Sequence, residues 1–259
     1  MYMGYVVGEK KKLEVVKLNK AFDKKLVLSD INFDVKEHEF FSILGSSGCG
    51  KTTLLRILIG LEKPLSGSIF KDGENITNLH PSKRGMGIVF QNYALFENMT
   101  AYKNIEYVLH SKRVASREAK DRALSLLSMV GLENHRDKYP SELSGGQQQR
   151  LAIVRTLALT PDVVLFDEPM SALDIATRLE LRKEIKNLQT KFGTTIIYVT
   201  HDQEEAFAMS DRIMVMSNSK IRQIGAPLEL VRHPADEFVD DFVNKNLRQK
   251  VESLRPFVE

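Results

Sequence analysis

An α/β fold with a mainly parallel sheet is what the sequence predicts, and three observations predict it. Short apolar runs at 40–44 and 163–166 carry no polar face, the mark of strands buried on both sides. Elsewhere apolar residues recur every three or four positions, as in Leu54, Leu55, Leu58 and Ile59. The two patterns alternate along the chain, as βαβ units require.

Taken in order, residues 1–12 offer only Val6 and Val7 as an apolar core before Lys10, Lys11 and Lys12. They are expected to form a loose leader whose lysines are solvated, not a secretory signal. Strand-type patterning then occupies 13–18 and 26–35, where Ile31, Phe33 and Val35 alternate with polar residues. The run 40–44 ends at Gly45, and a helix is expected over 51–61. Strand-like pieces recur at 68–71 and 87–90. Between Thr100 and Leu159 the apolar period becomes three or four (Ile105, Val108, Leu109, then Ala119, Ala123, Leu127). This predicts a helical insertion of about sixty residues, with Ser116 capping a helix that stops at Gly131. Strands return at 163–166, 195–199 and 212–216, around a helix at 176–191.

Composition narrows the function classes. The 259 residues are 42% hydrophobic and 27% charged, with one Cys and no Trp, which excludes collagenous and wholly disordered chains. Lys and Arg number 37 against 34 Asp and Glu, too balanced for charge alone to suggest a nucleic-acid binder. The lone Cys49 rules out an internal disulfide and fits a reducing compartment. No stretch approaches the roughly 20 uninterrupted apolar residues of a membrane span.

The strongest local signal is Gly45-Ser46-Ser47-Gly48-Cys49-Gly50-Lys51-Thr52-Thr53. It satisfies G-x-x-x-x-G-K-[ST] and lies where that motif must lie, between a buried strand and a helix. Its glycines let successive backbone N–H groups turn toward phosphate oxygens, and the helix adds its positive end. Lys51 is placed to neutralise the β- and γ-phosphates, Thr52 to ligate Mg²⁺ and Thr53 to donate to the α-phosphate. Cys49 reads as a small filler.

A second acidic feature completes such a site. The apolar strand 163–166 runs into Asp167 and Glu168. Asp167 is expected to hold Mg²⁺, and Glu168, leaving in another direction by strand alternation, to address a water in line with the γ-phosphate. Then comes Leu143-Ser144-Gly145-Gly146-Gln147, opening an apolar helix and so forming another anion-binding N-terminus. One nucleotide does not need two such cradles nearly a hundred residues apart.

On these residues the chain resembles the nucleotide-binding subunit of an ABC transporter, from about 13 to 246. The resemblance implies a P-loop NTPase (RecA-like) core with an N-terminal antiparallel β subdomain and an inserted α-helical signature subdomain. Core and β subdomain would occupy 13–99 and 161–225, the signature subdomain 100–160 and a helical tail 226–259. It also implies roles in family order. Phe22 stacks on adenine, Gln91 contacts Mg²⁺ or the attacking water, residues 171–174 with Asp174 cross a dimer seam, and His201 reads the γ-phosphate. Met170 stands where Leu is usual. Ser144, Gly145, Gly146 and Gln147 would contact ATP bound by a second copy, making the working unit a head-to-tail dimer with two ATP molecules sandwiched.

The tail, with Gly225-Ala226-Pro227 and His233-Pro234-Ala235-Asp236, resembles importer ATPases serving maltose-type sugars, polyamines, ferric iron, phosphonates and betaines. Many of these continue into a small β-rich regulatory domain, for which this sequence leaves no room. Polyamine, iron or phosphonate is therefore preferred over sugar. The implied partners are a transmembrane permease and, indirectly, a solute-binding protein, with no nucleic acid. The implied location is cytoplasmic, peripheral on the inner face of the membrane. The apolar stretch Tyr93, Leu95, Phe96, Met99 and Tyr107 is expected to help receive the permease. Other readings are a soluble ABC ATPase acting on DNA or ribosomes, or an exporter ATPase. The 52 positions from Gln91 to Leu143 are too few for the long coiled coils of DNA-repair members. No Asn-Lys-x-Asp guanine-reading motif occurs.

Overall fold

The structure, a computed structural model, describes residues 8–255. In chain order its strands and helices begin with β1 (Lys11–Phe22), β2 (Lys25–Lys36), β3 (Phe40–Gly45), α1 (Lys51–Ile59), β4 (Ser66–Lys71), β5 (Glu74–Asn75) and β6 (Met86–Val89). Then follow α2 (Ala101–Ser111), α3 (Ser116–Met129), α4 (Gly145–Leu157), β7 (Val163–Asp167), α5 (Ile175–Phe192) and β8 (Thr195–Thr200). The rest comprises α6 (Gln203–Met209), β9 (Arg212–Ser217), β10 (Lys220–Gly225), α7 (Pro227–Arg232), α8 (Glu237–Val239), a π-helical turn (Asp240–Lys245) and α9 (Asn246–Leu254). Packing divides the described residues into two units, one of residues 8–79 with 197–255, the other of 80–196. Those limits differ from the expected helical insertion at 100–160. The difference arises because α4 lies against β6 and α5, so strands β6 and β7 belong with the helices they carry.

In the first unit, β2, β1, β4 and β5 form an antiparallel sheet in that order. Leu13, Val15 and Leu18 of β1 are buried, as are Leu28, Ile31, Phe33 and Val35 of β2. Their spacing slips from two to three within each strand because the pairing register shifts there. Lys17 and Asp30 take left-handed conformations at the slips, with φ 48° each. Two amides satisfy the backbone freed by these bulges: Lys17 N–H donates to Asn32 Oδ1 at 2.7 Å, and Asp30 N–H to Asn19 Oδ1 at 2.8 Å. Elsewhere in this unit β3 runs parallel to β9, pairing Ile43 with Met214, and β10 returns antiparallel to β9. The tail docks here too, burying Leu230, Val239 and Val243 against Leu44, Ile213 and Val215.

The leader expectation is corrected for the residues described. Strand β1 already begins at Lys11, and Lys12 is buried, donating to both Asp72 carboxylate oxygens at 3.2 and 2.9 Å. Lys11 pairs with Glu14, so the lysine run belongs to the sheet and is not solvated throughout. Residues 1–7 of that expectation, and 256–259 of the tail, lie outside the described residues.

In the second unit β6 runs parallel to β7, pairing Ile88 with Leu165. Every residue of β7 is buried, as its unbroken apolar run predicts. Helix α2 packs on α3 and α4. The fully buried Asn104 fastens the loop before α2, accepting from Phe96 N–H at 2.9 Å and donating to the Phe96, Met99 and Thr100 carbonyls. Helix α3 stops before Gly131 as expected, at φ 69°. Ser116, however, is its first helical residue; Ala115 holds the cap position and offers no side chain for it. β5, β10 and α6 escaped the periodicity reading: the first two are short or half-exposed, and the third is seven residues long.

Candidate active site

The first unit carries the phosphate loop. β3 is buried from end to end and delivers the chain to Gly45. A Cβ on Gly45 would lie 2.4 Å from the Met216 carbonyl oxygen and 2.9 Å from Cys49 Sγ, so only glycine passes. At the other end Gly50 takes φ 108° and opens α1 with no side-chain cap. This leaves the helix N-terminus to the loop backbone and whatever anion approaches it. Ser46, Ser47 and Gly48 form the exposed crest; Thr52 and Thr53 are half-buried on the first turn of α1. Lys51 is buried, and its ammonium donates to the Gly45 and Ser46 carbonyls at 2.8 and 3.0 Å. Burial pushes the Cys49 thiol up from its usual range, although the Lys51 ammonium pulls the other way. A buried, protonated thiol is a filler, as expected.

His201 is exposed just after β8, in the two-residue link to α6, between the anchored Thr200 and Asp202. Thr200 Oγ1 donates to the buried Glu205 carboxylate at 2.9 Å and accepts from Asp202 N–H at 2.9 Å. Asp202 caps α6 by accepting from the Glu204 and Glu205 N–H groups. Phe22 ends β1 at a hairpin whose turn residues, Asp23 and Lys24, are both left-handed (φ 45° and 67°). Its ring is 43% exposed.

The second unit carries the acidic pair and the signature. Asp167 is buried at the end of β7, and Glu168 is half-buried just beyond it. Glu168 adopts φ 45° immediately before Pro169, a strained conformation for a non-glycine residue. This turn, not strand alternation as expected, sets where its carboxylate leaves the chain. Its carbonyl accepts from Ser171 Oγ at 3.0 Å, and that hydroxyl accepts from Gln91 Nε2 at 3.1 Å. Gln91, Glu168 and Ser171 are thus brought together. Asp174 caps α5, accepting from Thr177 N–H at 3.0 Å and Thr177 Oγ1 at 2.6 Å. Those bonds hold its carboxyl below the usual range.

Ser144 is exposed and caps α4 in a reciprocal box: it accepts from Gln147 N–H at 3.3 Å, while Gln147 Oε1 accepts from Ser144 N–H at 3.0 Å. Gly145 is exposed and Gly146 half-buried at the helix start. Sequence reasoning missed Arg155, on the last turn of α4. Its guanidinium donates to the Ala94 and Tyr93 carbonyls at 2.8 and 3.2 Å and lies 5.2 Å from the Phe96 ring centroid. Tyr93 and Ala94 are both left-handed, with φ 62° and 48°. The signature helix therefore grips the loop that follows Gln91. No local pattern announces this, because the partners are carbonyls sixty residues away.

A family model described as ABC transporter matches residues 28–171. The chain belongs to the ABC transporter family. Among curated members, it is 47% identical over 240 residues to the spermidine/putrescine import ATP-binding protein PotA of Thermotoga maritima, covering 93% of this chain and 65% of that one. It is 52% identical over 216 residues to the Fe(3+) ions import ATP-binding protein FbpC 2 of Rhizobium meliloti, covering 83% and 55%. The chain thus spans between about half and two thirds of these relatives' lengths. Among solved structures, cbiO1 from Clostridium perfringens, part of the ABC transporter complex cbiONQ, superposes with a TM-score of 0.82 at 30% identity, covering 96% of this chain and 98% of that one. A dimeric ATP-binding cassette in a post-hydrolysis state with ADP and Pi superposes at 0.74 and 33% identity, covering 83% and 98%. The fold is that of the ABC ATPases, with an antiparallel N-terminal sheet and a mostly parallel core.

Proposed function

We propose that the chain is the ATP-hydrolysing subunit of an ABC importer and works as a head-to-tail dimer. The observation that carries this reading is the presence of two anion cradles on one chain: the Gly45–Thr53 loop at α1 and the Ser144 start of α4. Each is built on a helix of at least nine residues with its N-terminal loop open to solvent. Ile175 and Leu179 add support: they remain 77% and 51% exposed on the first turns of α5, beside Asp174. Apolar side chains left bare there suit a protein interface. Permease docking at the Phe96–Tyr107 edge is narrower than expected, because Leu95 is buried and Phe96 lies under Arg155 and edge-on to Tyr107 at 5.1 Å. The exposed Tyr107 and the half-buried Tyr93 and Met99 are left for a permease.

In this mechanism Lys51 exchanges its loop carbonyls for β- and γ-phosphate oxygens, while Thr53 and the loop N–H groups hold the rest of the triphosphate. Phe22 stacks on the base. Ser144, Gly145 and Gly146 of a second copy close on the γ-phosphate, with Gln147 supporting Ser144. Thr52, Asp167 and Gln91 offer a hydroxyl, a carboxylate and an amide, the hard oxygen donors that Mg²⁺ prefers; bound there, it would offset phosphate charge. Glu168 orients and deprotonates the attacking water, and His201 reads the γ-phosphate. Gln91, tied to Ser171 and followed by the Arg155-held turn, carries loss of that phosphate into the helical unit. The names of the relatives favour polyamines or ferric iron as cargo; a permease and, indirectly, a solute-binding protein would be the partners at the membrane. Among the described residues no helix is long and apolar enough to cross a membrane.

The deciding experiment is Glu168→Gln with ATP, followed by light scattering. Retained ATP binding, turnover lowered by roughly 10²–10⁴-fold and an accumulating dimer are expected. A variant that stays strictly monomeric at saturating ATP would overturn the scheme.

A further inference from the structure

The Phe22 ring has a partner that the proposed mechanism does not use. The Lys20 ammonium lies 4.5 Å from the ring centroid, in cation–π range. That ammonium is not a free surface charge. Its side chain is only 13% exposed, and it donates to Glu62 Oε2 at 3.1 Å and to the Lys63 carbonyl at 2.8 Å. Glu62 is itself fixed by the way α1 ends. Gly60 turns left-handed at φ 90°, and the N–H groups of Gly60, Leu61 and Glu62 converge on the Arg56 carbonyl at 3.1, 2.8 and 3.1 Å. Among the described residues no other ring or cation stacks on Phe22. One face of an otherwise bare aromatic is therefore occupied by a clamped positive charge.

We propose that Lys20 is a specificity-setting residue of the nucleotide site, backing the Phe22 ring so that the opposite face takes the base. This rests on the reading that Phe22 stacks on the nucleotide. Two physical effects follow from the geometry. The ammonium draws π-density toward its own side, which lowers the negative charge on the far face and favours an electron-rich purine there. It also fixes the ring at the tip of a two-residue hairpin, so less rotamer freedom is lost when the base arrives. Neither effect reaches the phosphates, which are held by the loop at α1. Lys20 thus tunes affinity for the base and not for the triphosphate.

The test compares binding of ATP and of inorganic tripolyphosphate, both with Mg²⁺, to the full chain by titration calorimetry. Lys20→Met is expected to weaken ATP about 2- to 5-fold, no more than one weak cation–π contact is worth, and leave tripolyphosphate unchanged. Lys20→Arg, whose guanidinium also stacks, is expected to restore most of the loss. Equal weakening of both ligands would show a general electrostatic pull on anions and overturn the proposal; so would no weakening of either. Lys20→Gln serves in place of Lys20→Met if the latter does not fold. Phe22→Ala separates the two readings. If it lowers ATP affinity relative to tripolyphosphate while Lys20→Met does not, the Lys20 role alone is lost. If Phe22→Ala leaves the ratio unmoved, base stacking on Phe22 is lost and the Lys20 role with it.

Discussion

Lys12, which is buried, and Asp72, which is exposed, show how one ion pair answers to pH. Burial pushes the Asp72 carboxyl up, but Lys12, Lys10 and Lys71 together pull it below its usual range. A carboxyl whose folded pKa is depressed stabilises the fold above its unfolded pKa, and that stabilisation is lost as pH falls through the folded value. Asp72→Asn is therefore expected to cost about 1 kcal/mol or less near neutrality, since it removes one charged partner of the buried Lys12 ammonium at a site that solvent screens. Denaturant titrations of both proteins should converge as pH drops below the ordinary carboxylate range; a gap that persists there would mean packing, not charge, was lost. At the same scale, Glu168 was legible as a residue type at a strand end. Its left-handed backbone was not, because no local rule places a non-glycine residue before proline in that conformation.

Among elements, α4 carries the most roles. Its N-terminus presents Ser144, its body buries Leu151, Ile153 and Val154, and its last turn holds the Gln91 loop through Arg155. Replacing Arg155 by Leu removes a guanidinium from two carbonyls that sit at left-handed residues. The strain there, about 1–3 kcal/mol per residue, would then lack its restraint. Amide exchange at 92–96 is expected to speed up at least tenfold, with protection in the α4 core unchanged. Uniform loss of protection through the second unit would instead mark Arg155 as a packing residue. The capping role of Ser144 makes a related point. Ser144→Ala removes a cap worth about 0.5–2 kcal/mol as well as the phosphate donor proposed above, so a drop in activity alone does not separate the two.

Across the whole molecule, the described tail behaves as part of the first unit's core and not as an appendage. Leu230, Val239 and Val243 share one apolar cluster with β3 and β9, and Gln203, two residues after His201, donates to the Phe242 carbonyl in the π-helical turn. Leu230→Ala is expected to lower stability by about 2–5 kcal/mol, as for other fully buried leucines. Equilibrium unfolding would check it, and a loss under 1 kcal/mol would mean that the tail is only loosely attached. The stacked rings of Phe238 and Phe242, 5.5 Å apart, and Arg222 paired with Asp236 at 2.7 Å add to the same docking.

By itself the sequence determined the alternation of strands and helices, the phosphate loop, the acidic strand end, the signature and hence the family. Each is written in contiguous residues whose spacing has one physical meaning: period two or unbroken apolar for strands, three to four for helices, glycine where backbone must bend toward an anion. Only the tertiary structure decided that Lys12 is buried, that β6 and β7 belong with the helices, that Arg155 grips the Gln91 loop and that Lys20 backs Phe22. These depend on which distant carbonyl, carboxylate or ring a side chain meets, and a hydrogen bond across forty or sixty residues leaves no periodic trace in the chain that makes it.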